Sequence, residues 1–286
     1  LKYCYDHFPQ LKIIFSGSTV MRLKEENPVL AGVVDSYNLR GFSFREYLNL
    51  MAHTDFPVYT LAELLENHEA IAENICRQID PLEYFPGYLH HGYYPFFLEN
   101  RNFSENLIKT MNMMMEIDIL LIKQIELSYL PKVRRLLYRL SMNTPGPANV
   151  SQLSKDVQVS RATVMNYIKL LKDARLINML YREGEEYPKK PAKIYMHNTN
   201  LIYSNRSVEV DMQAVWETFF YNILHKDNRL NLGQKGAQFL VNGEHLFCVK
   251  ANGAQGRHNK DIYYAVSDLK IGRENVIPLW LFGFLY

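Results

Sequence analysis

One stretch constrains this chain more than any other: Ser151 to Tyr181, SQLSKDVQVSRATVMNYIKLLKDARLINMLY. Leu153 and Val157 lie on one face of a short helix, and Val159-Ser160 forms a turn whose serine can cap the next helix. That second helix runs from Ala162 to about Ala174. It places Val164, Ile168 and Leu171 inward and Arg161, Asn166, Lys169 and Lys172 mostly outward. Two helices so joined predict a helix-turn-helix. Leu176 to Arg182 then reads as a strand, Glu183-Gly184-Glu185-Glu186 as a polar turn, and Lys193 to His197 as a second strand. A hairpin in that position makes the unit a winged helix.

The second helix of such a unit can enter a major groove, with short polar residues facing base edges and lysines facing phosphates. Arg161, Thr163, Asn166 and Lys169 are the candidate contacts, and double-stranded DNA is the candidate partner. The same unit also serves as a packing module between domains. Asp156, Asp173, Glu183, Glu185 and Glu186 cancel much of its basic charge, so the alternative is a non-catalytic protein-interaction or regulatory module. A protein partner or a second copy of the chain would then take the place of DNA. With a net charge of +2 over 286 residues, DNA contact has to come from a local patch.

Cys4, Cys76 and Cys248 are odd in number and far apart, giving neither a disulfide framework nor zinc-ligand spacing, and a reducing cytoplasm is the expected compartment. No metal site is expected. No apolar run reaches the length a bilayer needs, so no membrane partner is expected either. The chain begins with Leu1, and the expectation is a piece of something longer.

Toward the amino terminus, Leu11 to Ser16 reads as a central strand buried on both faces. Val20 to Glu26 reads as a short helix and Asp35 to Leu39 as a further strand. Ser43 with Glu46 forms a capping box before FREYLNLM. Leu61 to Asp80 is helical, with Glu63, Glu66, Glu69 and Glu73 on a solvated face. His90 and His91, adjacent on a helix, should diverge by about 100° and pack in an aromatic turn rather than share a metal. Asn102 to Leu127 is a long methionine-rich helix, and Lys132 to Met142 an amphipathic one. Asp211 to Lys226 is a helix with Trp216, Phe219, Phe220 and Ile223 inward. Gln238–Val241 and His245–Val249 form a hairpin around Asn242-Gly243, and Ile277 to Tyr286 is a terminal strand or buried tail.

The order IIFSGST (residues 13–19), a loop, then SYNLRGFSFREYL (residues 36–48) resembles the second half of the AAA+ ATPase core. The likeness is to a bacterial and archaeal ATPase family whose members carry a carboxy-terminal domain of unknown function. It implies that Ser16 or Ser18 senses the nucleotide's terminal phosphate. Where the family has one or two arginines that act on a neighbour's nucleotide, this chain has Gly32-Val33. No G-x-x-x-x-G-K-[ST] occurs in the chain, so ATP and Mg²⁺ are expected only with an upstream P-loop segment, and this chain is expected not to hydrolyse ATP. Gly92-Tyr93-Tyr94-Pro95 is similar to a turn in the family's lid, and KIYMHNTNLIYSN (residues 193–205) to its junction into a final domain. That domain resembles the PD-(D/E)xK nuclease-like fold, with Glu217, Gln238, Cys248 and Lys250 at the positions that would hold Mg²⁺ and activate water. An amide and a thiol at 238 and 248 make the site degenerate. The expected fold class is α/β multidomain. It comprises a sensor-side remnant of the AAA+ core (1–55), a helical lid (56–127), a winged helix-turn-helix (128–198) and a nuclease-like α/β domain (199–286).

Overall fold

The computed structural model describes residues 1–16, 28–30, 32–35, 37–99, 102–122, 126–204, 210–253 and 259–286. After a short helix α1 (Lys2–His7), the helical half starts from local capping signals. The Ser43 side chain accepts from the Glu46 backbone N–H, and the Glu46 carboxylate accepts from the Ser43 N–H at 2.9 Å, which starts α2 (Phe44–Met51). Thr60 and Glu63 repeat the pairing at the start of α3 (Leu61–Cys76), so Glu63 caps a helix end rather than merely facing water. Helix α4 (Pro81–Gly87) has its proline in the first turn, where no N–H is needed, and runs into a π-helical turn at Tyr88–Gly92. The methionine-rich segment is an α-helix only over α5 (Phe103–Met113). It continues as a π-helical run, Met114–Ile122.

Three further helices follow: α6 (Leu130–Asn143), α7 (Val150–Val157) and α8 (Arg161–Asp173). Gln158 ends α7 in the left-handed region at φ 57°, and two residues later the Ser160 hydroxyl accepts from the Thr163 N–H at 3.1 Å and starts α8. Strand β1 (Ile177–Leu180) then pairs antiparallel with β2 (Lys193–Met196), in the register Ile177 opposite Met196 and Leu180 opposite Lys193. The order helix, turn, helix, strand pair is thus present.

After α9 (Thr199–Ser204) and α10 (Met212–Leu224) comes a five-stranded sheet. Its strands are β3 (Leu230–Leu232), β4 (Phe239–Val241), β5 (His245–Lys250), β6 (Ile262–Val266) and β7 (Val276–Pro278), in that spatial order. The first two pairings are antiparallel and the last two parallel, so the fold is mixed α/β. Asn242 at φ 56° and Gly243 at φ 75° make the tight turn between β4 and β5, where two successive left-handed residues match the strand twist. The carboxyl-terminal tail leaves strand geometry at Pro278 and becomes a 3₁₀ turn, Leu279–Phe284, buried throughout.

Two expected strands are not formed. Leu11 to Ser16 has no strand partner and is exposed, Ile14 to 97%. An apolar run becomes a central strand only when neighbours cover both faces, and the described residues supply none there. Asp35 and Tyr37 to Leu39 are likewise outside any strand, with Tyr37 87% exposed. The helix expected at Val20 to Glu26 lies outside the described residues.

The hydrophobic core is continuous from α2 to the last residue. Phe44 stacks edge-on with Phe85 at 5.0 Å between ring centroids, Phe85 with Phe219 at 5.0 Å, and Phe44 with Phe284 at 6.3 Å. The Tyr59 N–H donates to the Phe284 carbonyl at 3.0 Å. These contacts tie the residues around α2, the helices after it and the final sheet module into one packed body. Phe44→Ala is therefore expected to cost about 3–5 kcal/mol in urea unfolding, against under about 0.5 kcal/mol for the exposed Ile14→Ala. Equal costs at the two positions would contradict the shared core.

Candidate functional site

Strand alternation puts Lys193 and Tyr195 on one face of β2, and helical spacing puts Gln213 and Glu217 on one face of α10. The two faces meet at the Glu217 carboxylate, which is buried. Its Oε2 accepts from the Tyr195 hydroxyl at 3.1 Å and from Lys193 Nζ at 3.2 Å, and its Oε1 accepts from Gln213 Nε2 at 3.2 Å. Gln213 Nε2 also donates to the Val249 carbonyl at 2.8 Å, which fastens α10 to β5. Burial first, and the facing carboxylate second, push the Tyr195 hydroxyl well above its ordinary pKa, so it stays a donor.

The other predicted residues of this site are brought to the same place. Gln238 bonds the Val249 backbone in both directions: Nε2 donates to the carbonyl at 3.1 Å and Oε1 accepts from the N–H at 2.9 Å. A carboxylate has no donor for the first of these bonds, so the amide is the group that fits. Burial raises the Cys248 thiol, and nearby Glu217 adds to the shift while Lys250 and the Gln238 amide oppose it. Lys250 Nζ lies 4.3 Å from the centre of the Tyr264 ring, over β6. Mg²⁺ does not fit this set. Both oxygens of Glu217 are occupied by donors, Gln238 is spent on backbone, and a neutral thiol is a poor ligand for a hard dication. Among the described residues, no group of three or more His, Cys, Asp and Glu is placed to hold a metal ion. Lys193, Tyr195 and Gln213 escaped the sequence reading. The available signal was Glu217 itself, an acid in a largely apolar helix that needed partners.

Of the candidate DNA-contact residues, Thr163, Asn166 and Lys169 follow one another at three-residue spacing along α8, whereas Arg161 points away from Thr163. Arg161 is exposed at the start of α8. The Thr163 hydroxyl is 2.8 Å from that of Ser160, and Asn166 Oδ1 accepts from the Tyr187 hydroxyl at 2.9 Å. Lys169 Nζ donates to Asp173 at 2.6 Å and sits 5.9 Å from the Tyr187 ring. The structure therefore gives Asn166 and Lys169 partners within the chain, which the outward reading of both residues did not foresee. Thr163 and Asn166 line a groove of about 570 Å³ whose far wall is Glu126 and Tyr129. Across the loop between β1 and β2, Arg182, Lys189 and Lys190 line a second cleft of about 410 Å³. Glu185 lies within 4.0 Å of Arg182 and 3.7 Å of Lys189.

Of the two nucleotide-sensing candidates, Ser16 is exposed and outside any strand, and Ser18 lies outside the described residues. His90 and His91 do not diverge as an α-helix would require. In the π-helical turn their Nδ1 atoms come within 3.3 Å, and His90 lies against the Tyr203 ring at 4.7 Å. Burial, and then His90, hold His91 below its ordinary pKa. Among the described residues no helix is long and apolar enough to cross a membrane.

Removing one partner of the Glu217 cluster leaves a buried charge unpaired. Lys193→Met is expected to cost about 2–3 kcal/mol, below the full penalty for a buried pair because the lysine side chain keeps 27% exposure. Lys193→Met with Glu217→Leu should recover most of that loss in urea unfolding. A double variant no more stable than Lys193→Met would refute the ion-pair account.

A family model described as a domain of unknown function (DUF8612) matches residues 82–209, the span from α4 to just past α9. An uncharacterized protein of Methanocaldococcus jannaschii, MJ1637, is 27% identical over 190 residues, which is 64% of this chain and 40% of that protein. The chain thus spans less than half the length of that relative. No solved structure matches.

Proposed function

We propose that this chain is the carboxy-terminal portion of an AAA+-type ATPase, a cytoplasmic binding platform made of a DNA-contacting winged helix and a nuclease-like sheet that does not cut. One observation carries this reading: the only carboxylate at the nuclease-like positions, Glu217, is held by Lys193 and Tyr195 from the strand pair after α8. The group that would bind a metal instead braces the helix-turn-helix unit to the sheet. Support for the sheet assignment comes from the order α10, three antiparallel strands, then β6 parallel to the third. ATP and Mg²⁺ belong, in this reading, to a segment carrying a P-loop and not to this chain.

The DNA-contacting surface is Arg161 at the start of α8 together with Lys190 on the loop between β1 and β2, both exposed. Lys169, paired with Asp173, contributes less. A second reading, a protein partner in the groove between Tyr129 and α8, is favoured by that internal pairing and by the Tyr187–Asn166 bond.

Two measurements test the proposal. Plasmid incubated with Mg²⁺ should stay uncut, and cleavage that disappears in Lys250→Ala would overturn the non-cutting half. In fluorescence anisotropy with duplex DNA, Arg161→Ala with Lys190→Ala should weaken binding to all sequences and reduce the salt slope by about two. If wild type and double variant behave alike at low salt, the protein-partner reading replaces the DNA one.

A further inference from the structure

Five nitrogen-bearing side chains converge where four elements begin or end. Arg40 precedes α2, Lys172 is in the last turn of α8 with Arg175 just beyond it, His197 follows β2, and His225 ends α10. All five are half-buried, so the cluster is neither sealed in the core nor free in water. The hydrogen-bond partners of the two arginines and of His197 are neutral. Arg175 donates to the Leu39 carbonyl at 3.1 Å and to the Asn38 side-chain oxygen, and Arg40 reaches the Asn222 carbonyl at 3.5 Å. His197 Nδ1 lies 3.3 Å from Asn178 Oδ1, and its Nε2 lies 3.4 Å from the Tyr93 hydroxyl. Among the described residues no carboxylate pairs with either arginine or either histidine.

The charges act on one another. Burial first, then Arg175 and Arg40, holds the His197 imidazole well below its ordinary pKa. The same causes, burial and then Arg40, bring His225 down to about 4. Burial also lowers the Arg175 guanidinium, and Arg40 adds to that shift. The carboxyl ends of α8 and α10 offset some of this repulsion, but a helix end supplies only about half an elementary charge. Two half-buried lysines elsewhere are paired with acids, Lys193 with Glu217 and Lys169 with Asp173.

We propose that this junction binds a phosphate-class oxyanion, held by the guanidinium groups of Arg40 and Arg175 with His197 and His225 beside it. Planar guanidinium forks match the oxygens of a tetrahedral oxyanion in pairs, and two of them approaching from different elements favour a dianion over a carboxylate. The imidazoles line the site rather than grip the ligand: both ring nitrogens of His197 are already engaged, by Asn178 and by Tyr93. The ligand is either a free oxyanion or the phosphate tail of a nucleotide distinct from the one hydrolysed at a P-loop, and neither needs a glycine-rich loop at this place.

Calorimetric titration of the whole chain with inorganic phosphate, pyrophosphate and ATP at low salt tests the site. At least one is expected to bind, with affinity reduced at least about tenfold in Arg40→Gln and in Arg175→Gln and less in Arg40→Lys, which keeps charge but loses the fork. Arg175 has a backbone φ of 56°, so far-UV circular dichroism of that variant is checked first, and the two Arg40 variants decide if it misfolds. ATP binding more tightly than pyrophosphate assigns the nucleotide source, equal affinity assigns the free oxyanion, and both support the site. If none of the three binds, or if both Arg40 variants bind like wild type, the cations serve only the helix ends and the proposal falls.

Discussion

The Glu217 carboxylate is the interaction on which the arrangement of this chain depends. A carboxylate taken out of water costs several kcal/mol unless its lone pairs are satisfied and its charge is answered. Here three donors from two elements do so: Lys193 and Tyr195 from β2, and Gln213 from one turn earlier in α10. The geometry fixes more than the acid. Because Lys193 and Tyr195 come from β2 and Glu217 from α10, satisfying the charge also sets where the helix-turn-helix unit sits against the sheet. Gln213 and Gln238 then attach both α10 and the approach to β4 to the same backbone unit, Val249.

Apolar packing makes that docking stiff. Tyr195 stacks on Tyr221 at 5.1 Å, and Tyr221 in turn donates its hydroxyl to the Met179 carbonyl of β1 at 3.0 Å. Polar contacts cross the junction too, with Asn222 donating to the His197 carbonyl at 2.8 Å and the Leu232 N–H to the Tyr181 carbonyl at 2.7 Å. Interfaces between mobile domains are usually small and polar, whereas this one is continuous with the core on both sides. Motion of the helix-turn-helix unit relative to the sheet would therefore break the core, and the two are better understood as one rigid surface.

Legibility in the sequence followed the range of the interactions. Ser43–Glu46, Ser160 and Asn242-Gly243 act within four residues, and the helix starts and the hairpin turn they encode were readable. The helix-turn-helix periodicity and the apolar face of α10 were readable for the same reason. The run Leu11–Ser16 misled, because strand composition records a preference for burial and not the presence of neighbours. The π-helical turn at Tyr88–Gly92 was invisible, and with it the meeting of His90 and His91. At the Glu217 site the sequence supplied the four positions by resemblance, and they do converge. The groups that decide its chemistry, Lys193 and Tyr195, sit 22 or more residues away on a strand, where only the tertiary fold brings them in.

The two charged junctions of this protein are built in opposite senses. At Glu217 a single acid is answered by three donors, and both of its oxygens are engaged. Between α8, β2 and α10 no carboxylate among the described residues pairs with Arg40 or Arg175, and the two spend only part of their ten N–H donors on carbonyl and amide oxygens. Both lie along the same seam, since β2 contributes Lys193 and Tyr195 to one and the residue after it, His197, to the other. An anion bound at the second junction would contact the segment before α2, the end of α8 and the end of α10 together. Its binding energy would then act on the same packing that the Glu217 cluster holds, so occupancy of the cationic junction should stabilise the docked arrangement by mass action.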